Sequence, residues 1–235
     1  RAPGRFEVAI VAGSLEDLGS KLDDCAAILA GRGALRNGVF VSSEAVTEIP
    51  RTAFLFPGQG SQYPGMLSDL AIRFSSVREA IERAATTLDG AFDSSLSRYV
   101  FPPPTFTPEA EAASKRALTD TRVAQPALGA VETGALHLLK ELGVSPSMTA
   151  GHSYGEYVAL HAAGVFDEDT LLKLSAARGR VIFESAGETP GTMAAVSAGR
   201  DIVTSLTASI EGVWIANVNA PAQAILAGTE DGLAE

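Results

Sequence analysis

The chain has 235 residues, 46% of them apolar, and a formal charge of −10. That length and apolar content support one large or two smaller domains with a real core, burying roughly 70 to 75 per cent of the unfolded surface. The acidic balance, with no cluster of Lys and Arg, argues against nucleic acid as a partner. No apolar run is long enough to span a bilayer, so no membrane is expected. Cys25 is the single cysteine, which excludes an internal disulfide and points to a reducing, cytoplasmic setting. The chain begins at Arg1 with no signal-peptide pattern, and reads as a segment of something longer.

Residues 5–12 (Arg-Phe-Glu-Val-Ala-Ile-Val-Ala) read as a strand. Ser14 then has the character of an N-cap, with Glu16 and Asp17 in the first turn of a helix. Leu15, Leu18, Leu22, Cys25 and Leu29 recur at helical spacing, which predicts an amphipathic helix over 15–30, ended by Gly31 and Gly33. Val39-Phe40-Val41 gives a second strand, so 1–50 forms a small βαβ-like unit without evident chemistry. It reads as a linker or docking subdomain with its boundary near Ile49-Pro50.

Thr52–Phe56 is a short buried strand opening into Pro57-Gly58-Gln59-Gly60-Ser61-Gln62, a loop rich in Gly and hydrogen-bonding groups. A helix is expected near Asp69–Leu88. Residues 101–108 are proline-rich and stiff, and Glu109–Leu118 fits a short charged helix; a solvated surface insert explains both. Gln125–Leu142 is predicted as a helix with Pro126 in its first turn, a stripe of Leu128, Val131, Ala135, Leu138 and Leu142, and a closing Gly143.

Gly151-His152-Ser153-Tyr154-Gly155 is a Gly-x-Ser-x-Gly pentapeptide. It follows a short strand within 144–150 and precedes a helix over 157–163 ending at Gly164. Strand, sharp turn and helix are the context in which this pattern exposes a serine hydroxyl on a strained corner, so Ser153 reads as a nucleophile rather than part of an ordinary glycine turn. The next helix starts near Asp167. Leu171, Leu174, Ile182 and Arg178 fall in one direction along it, which sets Arg178 in an apolar stripe, with Arg180 pointing away. A buried guanidinium needs an anion. The residues alone favour an internal salt bridge over a ligand.

From Thr192 the pattern changes. Met193–Ser197 reads as a strand, Asp201–Ile210 as a helix, Val213–Val218 and Gln223–Ala227 as strands, with Thr229 capping a helix from Glu230. This β-α-β-β-α order supplies five elements of a ferredoxin-like βαββαβ unit, and the C-terminal part of the protein is expected beyond Glu235.

Phe56–Gln62 and Gly151–Glu156 together closely resemble the malonyl-CoA:acyl-carrier-protein transacylases and the acyltransferase domains of polyketide and fatty-acid synthases. Gln125–Leu128, Met193–Val196 and Asn217–Pro221 match the same pattern, in order, over about 52–235. Residues 1–50 are similar to the linker between a ketosynthase and an acyltransferase. Tyr154 and the proline-rich insert are similar to enediyne-type iterative and polyunsaturated-fatty-acid synthases. The resemblance implies an α/β fold: an α/β-hydrolase-like core over 51–191, an inserted ferredoxin-like subdomain beginning at 192, and the small α/β linker subdomain before them.

It also implies ping-pong acyl transfer from an acyl-CoA through a seryl ester on Ser153 to the phosphopantetheine thiol of an acyl carrier protein, with no cofactor or metal held by the chain itself. The backbone N–H groups of Gln59 and Tyr154 would form the oxyanion hole, and elbow geometry points to Tyr154 independently. Arg178, in its Arg-Gly context, would clamp a malonyl carboxylate, and His152 would line the site. Malonyl is the expected acyl group, because a bulky Tyr154 leaves little room for a branch. Among His137, His152 and His161 none is expected to be the general base, which the family places after the insert, beyond Glu235. Glu156 reads as a structural partner of the elbow helix. The rival readings are a serine hydrolase or thioesterase on the same core, and a non-catalytic docking fragment.

Overall fold

The computed structural model describes residues 7–34, 36–42, 51–185 and 191–235. Two compact units divide between Arg51 and Thr52. The first contains strand β1 (Glu7–Ile10), helix α1 (Leu15–Leu29) and strand β2 (Val39–Ser42). Ser14 Oγ accepts the Asp17 N–H at 3.1 Å, and Asp17 in turn takes Lys21 Nζ at 2.7 Å, so the predicted cap is formed and braced. The two strands pair antiparallel, with Ile10 opposite Val39, which corrects the βαβ-like expectation. Gly38, at φ +84°, turns the returning chain so that its carbonyl accepts the Val11 N–H, and this sets the hairpin-like register. The expected strand start at Arg5 and the boundary at Ile49-Pro50 lie outside the described residues.

The second unit opens with strand β3 (Ala53–Phe56). One helix was expected next; the chain instead forms α2 (Ser68–Arg73) and α3 (Ser75–Thr87), broken at Phe74, whose extended backbone (φ −121°, ψ 122°) turns its partly buried ring onto the core. Then follow α4 (Leu96–Val100) and α5 (Pro108–Thr119), the latter capped by Thr107. Residues 103–111 are exposed, as a surface insert should be, but Leu118 near the end of α5 is buried and ties it down.

Helix α6 runs Thr121–Glu141, four residues longer at its start than periodicity suggested, because Asp120 caps it by accepting the Arg122 N–H at 2.9 Å. Pro126 is therefore inside the helix and forgoes one helical hydrogen bond. The single-stripe reading also gives way. From Val123 to Gly134 every residue is buried, whereas Leu142 is 63% exposed. The helix is enclosed because α3 packs on one side and α8 (Glu168–Ser185) on another.

Strand β4 (Met148–Gly151) pairs parallel with β3, Phe56 opposite Gly151, and leads into α7 (Gly155–Ala162). Gly164, at φ +83°, ends α7 with two bonds, Gly164 N–H to the His161 carbonyl and Val165 N–H to the Leu160 carbonyl, the Schellman arrangement. In α8 the buried side is Leu171, Leu172, Ser175 and Gly179. Leu174 and Ile182, expected to be buried with Arg178, are 38% and 41% exposed, so the buried face is rotated and Arg178 lies half-buried at its margin.

The final segment forms β5 (Thr192–Val196), α9 (Arg200–Thr207), β6 (Val213–Ala220), β7 (Gln223–Gly228) and α10 (Glu230–Ala234). The antiparallel sheet has the order β5-β7-β6, the first, third and second strands of a ferredoxin-like unit. Val203, Ala224 and Leu226 form its own small core. Thr229 caps α10 by accepting the Gly232 N–H.

Candidate functional site

Because β3 and β4 are parallel and in register, the loops after Phe56 and Gly151 leave the same edge at the same level. Crevices at the carboxyl ends of parallel strands are where α/β folds bind ligands. The His152 N–H bonds the Phe56 carbonyl at 2.9 Å, carrying the pairing into the turn. Ser153 then adopts φ +52°, one of two positive values at non-glycine residues among those described. Such a conformation costs roughly 1–3 kcal/mol and persists only where its surroundings enforce it.

The glycines do the enforcing. A Cβ on Gly151 would overlap Gly155 and Glu156, and one on Gly155 would overlap the Phe56 and Pro57 carbonyls. A Cβ on Gly58 would overlap the His152 carbonyl and lie 3.2 Å from Ser153 Cβ, so the loop after β3 runs directly against the elbow. Ser153 and Gln59 are exposed, and Tyr154 is fully buried. The backbone N–H groups of Gln59 and Tyr154 have no acceptor among the described residues. Two unsatisfied donors beside a strained serine form the arrangement that can receive a developing oxyanion.

The Gln59 side chain is held from α6. Its Oε1 accepts the Thr121 hydroxyl at 2.8 Å; Thr121 Oγ1 accepts Gln125 Nε2 at 2.9 Å; and Gln125 Oε1 accepts Arg178 Nη1 at 2.9 Å. Arg178 makes no ion pair with a carboxylate among the described residues, so the internal salt bridge that the residues alone favoured is not formed. Its guanidinium stands 5.5 Å from the Tyr157 ring, which stacks on Tyr154. The Arg-Gly context has a steric reason: a Cβ at residue 179 would stand 2.6 Å from the Thr121 carbonyl, so only glycine lets α8 approach the start of α6 closely enough for Arg178 to reach Gln125. Gln125, wholly buried, and Thr121 carried no role in the sequence reading. A polar residue inside the apolar run 123–128 was the available signal.

Tyr154 does not place its bulk in an open cleft. Its ring lies between α6 and α8 against Gly129, and its hydroxyl is 2.6 Å from Ser175 Oγ. Ser175 donates to the Leu171 carbonyl, so Tyr154 is the donor in that pair. Burial pushes the phenol above its usual pKa, which keeps it a neutral donor. The steric argument for malonyl from Tyr154 is thus withdrawn, since this side chain is core.

His152 is exposed beside Ser153. His161 Nδ1 is 3.0 Å from the Phe166 carbonyl, and His137 Nε2 is 3.8 Å from Glu168, both structural settings. No histidine is hydrogen-bonded to Ser153. Glu156 is exposed in the first turn of α7. The described residues contain no cluster of His, Cys, Asp and Glu able to hold a metal, and no helix long and apolar enough to cross a membrane.

The family description of the acyl transferase domain matches residues 53–235. The chain belongs to that family. Over 188 residues the domain is 35% identical to the malonyl CoA-acyl carrier protein transacylase of Bacillus subtilis, covering 78% of this chain and 55% of that protein. It is 39% identical over 186 residues to the spectinabilin polyketide synthase protein NorB of Streptomyces orinoci, covering 78% of this chain and 8% of that one. Among solved structures, the acyltransferase domain from the second module of the salinomycin polyketide synthase aligns with a TM-score of 0.76 at 32% identity, covering 97% of this chain and 49% of that one. The chain thus spans about half the length of the transacylase and the solved domain, and a small part of the synthase. These likenesses carry the α/β-hydrolase-like core with its ferredoxin-like subdomain.

Proposed function

We propose that this domain transfers an acyl group, malonyl in the first instance, from CoA to the phosphopantetheine thiol of an acyl carrier protein through a seryl ester on Ser153. In the first half-reaction Ser153 Oγ bonds to the thioester carbonyl carbon, the carbon–sulfur bond breaks, and CoA leaves as its thiol with the serine proton. In the second, the carrier thiol attacks the ester, the carbon–oxygen bond breaks, and Ser153 regains a proton. Both pass through a tetrahedral oxyanion, for which the free N–H groups of Gln59 and Tyr154 are the donors. His152, exposed beside the nucleophile, lines the acyl or pantetheine path. None of the three histidines takes the proton-acceptor role in this reading, because none is hydrogen-bonded to the Ser153 hydroxyl.

The observation that carries the malonyl reading is Arg178. It is half-buried, oriented by a neutral amide, and without a carboxylate of its own among the described residues, which suits bidentate capture of a carboxylate on the acyl group. A hydrolase on the same elbow has no use for such a group, so hydrolysis is the disfavoured alternative. We further read the first unit as the linker that follows a ketosynthase: the salinomycin alignment leaves out too little of this chain to omit it. The buried thiol of Cys25, unpaired, suits a reducing cytoplasmic setting.

The test is intact-mass analysis of the full-length protein with malonyl-CoA. A malonyl adduct that maps to Ser153, is discharged by holo carrier protein and is lost in Ser153→Ala is the expected result. Adduct on Ser153→Ala, or discharge to water as fast as to the carrier, overturns the proposal.

A further inference from the structure

Thr121 joins the two halves of the site. Arg178 can only donate, so Gln125 Oε1 must accept; Gln125 Nε2 then donates, and Thr121 Oγ1 accepts it. The single Thr121 proton is left for Gln59 Oε1. The cation fixes the direction of the first two bonds and with them the Gln125 amide; Thr121 then donates to Gln59 Oε1, because a reversed Gln59 amide would set two NH2 groups about 3.4 Å apart. Among the described residues the only other hydrogen bond to Gln59 Oε1 comes from Gln125 Nε2 at 3.4 Å, longer and shared. Thr121 is the first residue of α6, and its carbonyl is the atom against which Gly179 of α8 packs, so its backbone is held while its hydroxyl spans the gap to the loop after β3.

We propose that Thr121 is a positioning residue that sets the Gln59 loop and the Arg178 guanidinium relative to one another, so that the oxyanion donors and the carboxylate clamp fit one acyl group at the same time. This rests on the reading of Arg178 as the clamp. The loop serves any acyl group, whereas the clamp serves only one carrying a carboxylate. Loss of the hydroxyl therefore weakens transfer of malonyl more than of acetyl. A part that only supported the fold would weaken both alike.

The experiment is single-turnover acylation of the full-length protein by malonyl-CoA and acetyl-CoA, in Thr121→Val, Thr121→Ser, Arg178→Ala and the Thr121→Val/Arg178→Ala pair. Thr121→Val is expected to lower malonyl kcat/KM by roughly tenfold and acetyl by about threefold, the scale of one or two lost hydrogen bonds. Thr121→Ser keeps the hydroxyl and restores the ratio. In the Arg178→Ala background the Thr121→Val effect on malonyl shrinks to its effect on acetyl. If Arg178→Ala shifts the malonyl-to-acetyl ratio but Thr121→Val does not, the Thr121 proposal fails and the clamp stands. If Arg178→Ala lowers both donors equally, the clamp reading fails and takes this proposal with it. Thr121→Ala, read the same way and alongside thermal melts, replaces Thr121→Val should valine at the helix start prevent folding.

Discussion

Glu132→Gln should raise the stability of this domain, and by more as the pH rises. Glu132 sits on the enclosed stretch of α6, 9% exposed, and neither carboxyl oxygen has a hydrogen-bond partner among the described residues. Burial pushes its pKa from 4.5 up to about 8. Below pH 4.5 the group is protonated folded and unfolded, and contributes no pH dependence. Between 4.5 and about 8 the unfolded chain releases the proton while the folded one retains it, so the folded state binds more protons and stability falls as pH rises. At about 1.4 kcal/mol per pH unit, the gap sets a ceiling of about 5 kcal/mol. Between pH 5 and pH 7.5 the loss is about 3 kcal/mol. Glutamine keeps the shape and cannot ionise, so the difference in unfolding free energy between variant and wild type should widen by about 3 kcal/mol over that interval, or roughly 6 to 12 °C in Tm for a domain of this size. Denaturant melts followed by circular dichroism at both pH values measure it. A difference that stays constant from pH 5 to 7.5 would show that the carboxyl is solvated or paired in solution, and would refute the argument.

Arg178→Ala should cut malonyl kcat/KM by about 100-fold, the worth of a bidentate charged hydrogen bond, while acetyl transfer is held or improved in relative terms; steady-state kinetics with both donors decides it. Gly155→Ala drives a methyl into the Phe56 and Pro57 carbonyls, so Ser153 acylation should disappear before α-helical circular dichroism does. Gly179→Ala should separate α8 from α6, lowering stability by about 1–3 kcal/mol and eroding malonyl preference without abolishing acylation. Tyr154→Phe leaves the Ser175 hydroxyl without its donor and should cost about 1 kcal/mol in a melt, with acylation retained because the backbone N–H is untouched.

The elbow was legible because glycine spacing and a strained serine are local demands: Gly151 and Gly155 are required by atoms within a few residues of chain or in the adjoining strand. Caps at Ser14 and Thr229 were legible for the same reason, and so was the ferredoxin-like order, which needs only strand and helix patterns in sequence. What the pattern could not supply was set by packing between distant segments. The face of α8 was misplaced because Gly179, not a leucine, makes the closest approach, and a periodicity count gives glycine no weight. The start of α6 is not evident from periodicity because Asp120 caps the helix at Thr121, four residues before the expected start at Gln125. Tyr154 reads as a substrate-facing side chain in the sequence because it adjoins Ser153 in the elbow, yet φ +52° at Ser153 turns the next residue inward, where Gly129 leaves space for a ring. The Gln59–Thr121–Gln125–Arg178 row joins positions 62, 4 and 53 residues apart, and no local window contains it.

That row also explains why the site can be strained at Ser153 without being loose. The elbow is held below by β3 and β4, at its core side by the Tyr154–Ser175 bond into α8, and from across the cleft by Gly58 against His152 and Ser153. Helix α8 thus braces the site twice, through Ser175 to Tyr154 of the elbow and, one turn later, through Arg178 to Gln125 and the Gln59 loop. A shift of α8 would move Arg178, but it would also pull on the elbow and the Gln59 loop, so the three cannot drift independently. If Arg178 is the clamp proposed above, acyl choice depends on how α8 seats on α6, and substitutions at Gly179, Ser175 or Gly129 should change it without touching the acyl group.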